Sequence, residues 1–325
     1  VTICSVVAGS IAGLAVAFSG GGVWAILGQQ LVMSLVRAVV FWRLIPWRPA
    51  GFPFWASVKD LYAFGLPIVI SQTIRGFSEQ LINVLTARYI GIVSLGYYDR
   101  GRFIPGNATS FVQSIFFRTN LALLSRLQHD DAEFRKVYLK LMETIASACM
   151  IMMTGLAVCA PELVEVLLGA KWLPSIWFFR AGCVMSSIYL LFLINQDVLK
   201  AKGAISSLSR QNIIYAGLQV VGVCGGLFWG VCGMVTGGIA ACFASCILLM
   251  MSVRRWSSIA VVDQICIFKV PVMWSLLTGG VLWGIKLAGP SVWWRFWLCG
   301  AAGAAIAYLY WVMNRAGLRG QKRVI

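Results

Sequence analysis

Ten apolar stretches, each near the ~20 residues an α-helix needs to cross a ~30 Å hydrocarbon layer, succeed one another along a chain of 325 residues. They run from 1 to 19, 22 to 43, 61 to 88, 99 to 121, 137 to 160, 174 to 199, 205 to 229, 231 to 253, 269 to 288 and 293 to 313. Few folds tolerate that pattern. With 60% of residues hydrophobic and 12% charged, an aqueous domain has no interior large enough to hide the apolar surface. In hydrocarbon every backbone polar group must be satisfied internally, which leaves helices or a closed barrel. Barrel strands are ~10 residues long and alternate in polarity, whereas Val231 to Val253 is apolar without alternation. The expected fold class is an all-α membrane protein of about ten transmembrane helices.

The formal charge of +16 raises the question of nucleic acid, and its distribution answers it. With alternating topology, 17 basic residues fall on one set of connections: Arg43, Arg48 and Lys59; Arg126, Arg135, Lys136 and Lys140; Lys200, Lys202 and Arg210; Arg254, Arg255 and Lys269; and Arg315, Arg319, Lys322 and Arg323. The opposite set holds 6, namely Arg88, Arg100, Arg102, Lys171, Lys286 and Arg295, and Arg37, Arg75, Arg118 and Arg180 fall within spans. This asymmetry is that of a multi-pass protein obeying the positive-inside rule, with the C-terminus cytoplasmic. Nucleic acid is not an expected partner; membrane lipids are.

Ten cysteines lie mostly within apolar stretches, where a free thiol behaves as a small hydrophobe. The single histidine, His129, sits in a charged loop, so no Cys/His metal site is expected. The chain opens at Val1 inside an apolar stretch with no basic leader, unlike a signal peptide; the reading expects a chain that starts partway through a longer protein. Two basic, turn-rich segments, Arg43 to Pro53 and Arg254 to Lys269, punctuate it. They divide it into 1–56, 57–253 and 254–325. Asp130 with Glu133 three residues on is a helix N-terminus signature. Glycine pairs at spacing four, Gly9 with Gly13, Gly226 with Gly230, Gly233 with Gly237 and Gly280 with Gly284, predict close helix approach.

No nucleotide-binding, zinc-protease or nucleophile-elbow motif is present. No cofactor or catalytic residue is therefore expected, and function must reside in polar residues within spans. At about 100° per residue, Gln72, Arg75, Glu79, Asn83 and Thr86 fall within an arc of about 100°, while Ile70, Ile74, Phe77, Leu81, Val84 and Leu85 take the other side. The next stretch repeats the device with Asn107, Ser110, Ser114 and Arg118. A charged residue at the bilayer centre costs about 2.5–3.5 kcal/mol on insertion scales and faces a partner or water. An Arg75–Glu79 pair at spacing four accounts for two of these residues, but not for Gln72, Asn83, Asn107 or Arg118. Two neighbouring polar stripes fit the wall of a hydrated cavity. Its arginines suit an anionic cargo, above all a phosphate that accepts the guanidinium fork. Glu79 is a candidate for ion coupling. Asp197, beside Asn195 and Gln196, is either a second ion ligand or an interfacial cap.

Tyr97-Tyr-Asp-Arg-Gly101, Leu124-Ser-Arg-Leu-Gln-His-Asp130 and Pro161-Glu-Leu-Val-Glu-Val-Leu-Leu-Gly-Ala-Lys-Trp-Leu-Pro174 resemble, in order and spacing, the polysaccharide flippases of the Wzx type. Phe64-Gly-Leu-Pro67 and Gly22-Val-Trp-Ala25 are similar to that family's helix starts. The resemblance extends from about residue 20 to 250. It implies a MATE-like flippase fold from the multidrug/oligosaccharidyl-lipid/polysaccharide superfamily, with two six-helix lobes around a central cavity and an extra helix pair. In that frame 1–56 is the end of an N-terminal lobe whose first four or so helices are absent, 57–253 is the six-helix C-terminal lobe, and 254–325 is the additional pair with a basic cytoplasmic tail. Asp99 departs from the resemblance, which places Asn there.

The function this implies is translocation of undecaprenyl-diphosphate-linked oligosaccharide repeat units across the bacterial inner membrane by alternating access, without enzymatic chemistry. The implied partners are the lipid-linked oligosaccharide and a polymerase and chain-length regulator of glycan assembly; coupling would be to H+ or Na+. Candidate cavity residues are Arg75, Arg118, Gln72, Asn83, Asn107 and Ser114, with Glu79 and Asp197 as ion-coupling candidates. Pro67 and Pro105 are candidate bending points. Competing readings are a cation-coupled multidrug antiporter of the same superfamily, a membrane polysaccharide polymerase or acyltransferase, and a non-transporting scaffold.

Overall fold

The computed structural model describes residues 2–44, 55–257 and 259–288, with positions 300, 303, 305, 306 and 310 beyond them; the side chains of 2, 55–61, 63, 64 and 115–119 lie outside the description. The described residues are helical, with no strand among them. In chain order the helices are α1 (Thr2–Phe18), α2 (Trp24–Leu44), α3 (Trp55–Tyr89), α4 (Ile92–Arg126), α5 (Asp131–Val158), α6 (Ala160–Leu168), α7 (Ile176–Ala201), α8 (Ile205–Leu227), α9 (Gly230–Ser257), α10 (Val261–Cys266) and α11 (Lys269–Ala288), with a 3-10 turn, Ala170–Ser175, before α7. Nine of the expected stretches coincide with long helices. The tenth, the linker at 45–54 and the basic tail fall almost wholly outside the described residues.

Among the described residues, five helical segments are long and apolar enough to cross a membrane by length and composition, containing α2, α5, α7, α9 and α11. Helices α3, α4 and α8 are long enough but miss that standard. Their sequences explain why: α8 alone carries Ser206, Ser207, Ser209, Arg210, Gln211 and Asn212 in its first two turns. α3 and α4, at 35 residues each, also begin earlier than the apolar pattern indicates and continue through Pro67 and Pro105 rather than ending there.

The chain divides into two compact units, Val1–Leu61 and Tyr62–Ile325. In the first, α1 packs on α2 through the predicted glycines: a Cβ at Gly9 would stand 2.9 Å from the Gln29 carbonyl oxygen, and one at Gly13 3.0 Å from the Gln29 Cβ.

In the second unit the interior is filled by large side chains such as Phe134, Tyr138, Met142 and Phe179, all fully buried. α4 and α7 approach where Gly101 faces the backbone of Phe179, with 2.8 Å between its nitrogen and a hypothetical Cβ. α8 and α9 meet still more closely, Gly226 against Gly233 and Gly222 against Gly237, backbone on backbone. The expected pairing is thus corrected in part. Gly230 is the turn that opens α9, at φ 71, a left-handed value suited to glycine, and Gly222 takes its place in the stripe. Among the described residues nothing stands within 4 Å of a Cβ at Gly280 or Gly284.

The connections sort to two ends of this unit, as alternation requires. At one, Lys202 Nζ lies 2.8 Å from Asp131 and donates to the Gln128 carbonyl, Arg135 pairs with Asp263 at 2.7 Å, and the Trp256 indole donates to Ser207 Oγ. Asp130 caps α5 there, its Oδ1 accepting from the Ala132 and Glu133 amides at 3.1 Å, as its sequence context predicts. At the other end Lys286 pairs with Glu162 at 2.8 Å, and Tyr97 meets Trp172 edge to face at 5.9 Å. Nine cysteines among the described residues are free thiols.

Because membrane helices associate through close packing of small residues, the α8–α9 seam makes a direct prediction. Gly226→Val should lower the melting temperature of the purified protein by roughly 2–10 °C, the range for overpacking a tight contact. Gly217→Ala, on the same helix with no atom within 4 Å, should leave it unchanged or slightly raised.

Candidate functional site

Two of the helices too polar to qualify as simple spans, α3 and α4, enclose polar space together with α7. A cavity of about 520 Å³ opens between α3, α4 and α7, with Tyr215 of α8 and Cys242 of α9 completing its wall. A second compartment of about 180 Å³ adjoins it toward α8. The two share Arg75, Glu79, Asp99, Arg102, Met185 and Tyr215. α3 is tied to its neighbours by side chains: Arg75 donates to the Tyr189 hydroxyl across this space, and away from it Ser209 Oγ donates to the Pro67 carbonyl at 2.8 Å and Thr86 Oγ1 meets Met234 Sδ at 3.3 Å.

Both arginines are built the same way. The Arg75 guanidinium donates to Tyr189 Oη on α7 and lies 5.9 Å from the centre of that ring. On α4, Arg102 donates to Tyr98 Oη at 2.8 Å and lies 5.0 Å from that ring. A phenol supplies an acceptor and a π face, so each cation is steadied without being neutralised. A guanidinium has five N–H donors, and one tyrosine oxygen occupies one of them.

The Arg75–Glu79 pair is loose, at 3.8 Å with the Glu79 side chain 59% exposed. A pair so open contributes little and leaves the Arg75 fork available. Asp99 lines both compartments, and among the described residues no ion pair engages it.

The candidate residues distribute unevenly. Arg75 and Glu79 line both compartments, Asn107 the larger, and Asn83 the smaller. Asn107 Nδ2 also donates to the Phe103 carbonyl at 2.9 Å. Gln72 lines neither. It belongs to a separate cavity of about 370 Å³ toward the basic end, with Ser71, Ser125, Gln196, Lys200, Ser209 and Asn212. Ser114 is exposed and turned back on its helix, donating to the Phe111 carbonyl at 2.8 Å. The backbone of Arg118 lies in α4, and its side chain is outside the described residues. Asp197 is buried rather than an interfacial cap: its side chain is 1% exposed, with Oδ1 3.0 Å from Lys200 Nζ. Neighbouring Asn195 accepts from Tyr138 Oη at 2.9 Å, and Gln196 donates to Asn212 at 2.6 Å.

Arg102, Asp99, Tyr98, Tyr189 and Tyr215 escape the sequence reading. Arg102 is assigned there to a connection although it lies three residues inside the stretch that starts at 99. Carried back to Ile92, the helix places Asp99, Arg102, Gly106 and Gln113 at i, i+3, i+7 and i+14, the spacing of a single face. The tyrosines carry no such signal, since which ring meets which arginine depends on packing between helices.

Comparison with known proteins places this geometry in context. Residues 1–177, which include Arg75 and Arg102, match the family described as "Polysaccharide biosynthesis protein". The teichuronic acid biosynthesis protein TuaB of Bacillus subtilis (strain 168) is 21% identical over 177 residues, 54% of this chain and 37% of the relative. The succinoglycan biosynthesis transport protein ExoT of Rhizobium meliloti (strain 1021) is 27% identical over 169 residues, 50% and 33%. An uncharacterized membrane protein in the cps region of Klebsiella pneumoniae is 22% identical over 195 residues, 58% and 40%. The matched stretch thus spans two fifths or less of each curated relative. A solved structure, the lipid II flippase MurJ in an inward closed conformation, superposes with a TM-score of 0.67 at 12% identity, covering 97% of this chain and 67% of that one. At that identity the likeness is one of fold.

Proposed function

The chain belongs to the polysaccharide biosynthesis protein family, and from that premise we propose that its protein is a flippase moving undecaprenyl-diphosphate-linked oligosaccharide repeat units across the bacterial inner membrane. One observation carries the proposal. Two arginines, each steadied by a tyrosine hydroxyl, face one polar cavity. Charge placed at membrane depth is costly, and planar guanidinium forks match phosphate oxygens two at a time. A diphosphate between Arg75 and Arg102 would gain charge-assisted hydrogen bonds from both.

In this reading 57–253 is the C-terminal lobe, 1–56 the end of its N-terminal counterpart, and 254–325 the additional pair. The cavity alternates in exposure as the lobes rock. Asn83 and Asn107 hydrogen-bond the glycan, and Gln72 lines a station nearer the cytoplasm. The excess of basic residues on one set of connections supports a cytoplasmic C-terminus. Glu79, in the cavity wall, and Asp197, buried beside Lys200, are the groups through which H+ or Na+ would couple. A glycan polymerase and a chain-length regulator are the expected neighbours in the membrane.

Arg75→Ala or Arg102→Ala should each reduce translocation of a lipid-diphosphate-linked oligosaccharide by at least about tenfold, the equivalent of ~1.4 kcal/mol. The double variant should abolish it at unchanged protein level, and export undiminished in the double variant would overturn the assignment. Tyr98→Phe and Tyr189→Phe remove one hydrogen bond each while keeping the ring. They should cost roughly three- to tenfold, in line with ~0.5–1.5 kcal/mol per bond, read in the same translocation assay.

The carboxylates Glu79 and Asp99 in the same wall favour one second reading, a cation-coupled multidrug antiporter of the superfamily. Efflux of a lipophilic cation that survives arginine substitution and is lost in Glu79→Gln would move the assignment there.

A further inference from the structure

Arg180 lies within an apolar stretch yet takes no part in the polar cavity. The helix that carries it has two faces. At about 100° per residue, Gly182, Met185, Ser186 and Tyr189 of α7 fall within an arc of about 100° and line the cavity, while Trp177, Arg180, Ala181 and Val184 fall within a separate arc of similar width. That second face borders a groove of about 540 Å³, completed by Ile176 and by Ile239 of α9. Arg180 is the charged member of a lining that is otherwise apolar or aromatic. The groove opens outward, with Trp177 46% and Val184 48% exposed. It runs roughly 12 Å along α7 from Ile176 to Val184. An exposed arginine on a spanning helix is costly unless an anion or water meets it.

The end of a neighbouring helix holds this arginine in place. Its Nε donates to the Ala157 carbonyl at 3.3 Å, one of the last carbonyls of α5, which lack donors within their own helix. Lys286 donates to the next one, Val158, but is itself paired with Glu162 at 2.8 Å. Among the described residues no carboxylate meets Arg180. Its two terminal nitrogens keep four N–H donors beside an apolar trough. A phosphate group with a hydrocarbon tail matches both parts. We propose that this groove binds an acidic glycerophospholipid of the leaflet opposite the basic connections, its phosphodiester on Arg180 and one acyl chain along Trp177, Val184 and Ile239. A polyprenyl diphosphate matches it less well, because two phosphates find a pair of guanidinium groups in the cavity and one in the groove. A zwitterionic lipid brings its own ammonium to its phosphate and gains less from Arg180. Trp172 and Trp177, near this end of the unit, are the aromatic type that sits at the depth of lipid headgroups.

The test uses the purified protein in phosphatidylcholine nanodiscs with a trace of phosphatidylglycerol carrying a diazirine on one acyl chain. Crosslinks should map to α7 between Ile176 and Val184 and to α9 at Ile239. Unlabelled phosphatidylglycerol should displace the label at least about tenfold more effectively than phosphatidylethanolamine with the same chains, the scale of a charge-assisted contact. Arg180→Gln, which keeps a donor for the Ala157 carbonyl, should reduce that preference to about twofold or less, and Arg180→Lys should keep most of it. Ile239→Trp fills the trough from α9 with Arg180 in place, and should remove the crosslinks at an unchanged melting temperature. Equal displacement by the two phospholipids, a preference that survives in Arg180→Gln, or crosslinks that persist in Ile239→Trp would overturn the inference. Stronger displacement by a polyprenyl diphosphate would overturn it too and give the groove to the cargo. Arg75→Ala should leave the crosslinks unchanged, so this groove and the cavity assignment stand or fall separately.

Discussion

A guanidinium within a membrane-spanning bundle needs an acceptor that does not cancel its charge, and here tyrosine hydroxyls meet that need twice. Arg75 on α3 reaches across to Tyr189 on α7, and Arg102 on α4 reaches one turn back to Tyr98. Much else follows from where those two contacts must lie. α3 stands at side-chain distance from α7 across a cavity that Arg75 bridges. α4 must approach α7 closely enough that both arginines border the same space, and Gly101, next to Arg102, permits that approach by leaving room for the backbone of Phe179. The same Tyr97–Gly101 segment thus supplies the anchor, the uncommitted carboxylate and the close contact.

The apolar half of the protein serves as scaffold for this arrangement. α5, α7 and α9 supply the filled interior, and glycines bring α8 onto α9 without intervening side chains. The basic end of the second unit is cross-linked by Lys202, Arg135 and Trp256, and the opposite end by Lys286 with Glu162. The polar cavity is lined chiefly by α3, α4 and α7. On α3 the charge of Arg75 is met by the Tyr189 hydroxyl of α7, the kind of partner that keeps a charged residue compatible with a membrane.

The helices were legible in the sequence because hydrocarbon thickness dictates their length, and Arg75, Glu79 and Asn83 because one helix sorts its own faces by period. Depth was harder to read. Gln72 shares its angle with Asn83 but sits eleven residues away, about 16 Å along the axis, and so lines a different cavity. Arg102 was hidden because the Tyr-Asp-Arg-Gly-Arg run around it has the polarity of a connection, although α4 had already started at Ile92. Tyr189 and Tyr215 were not legible, since no single-helix pattern encodes a contact between helices. Asp197 stands next to charged Lys200 in sequence, yet packing buries it, and local composition cannot report that.

The central claim is that Arg75 and Arg102 converge on one anionic group of the cargo. The most direct measurement is an experimental structure of the protein with a polyprenyl diphosphate bound. The account predicts phosphate oxygens within hydrogen-bonding distance of both guanidinium groups, in the compartment shared by Glu79 and Asp99. A diphosphate held instead beside Gln72 and Lys200, with Arg75 and Arg102 unmoved on their tyrosines, would contradict it.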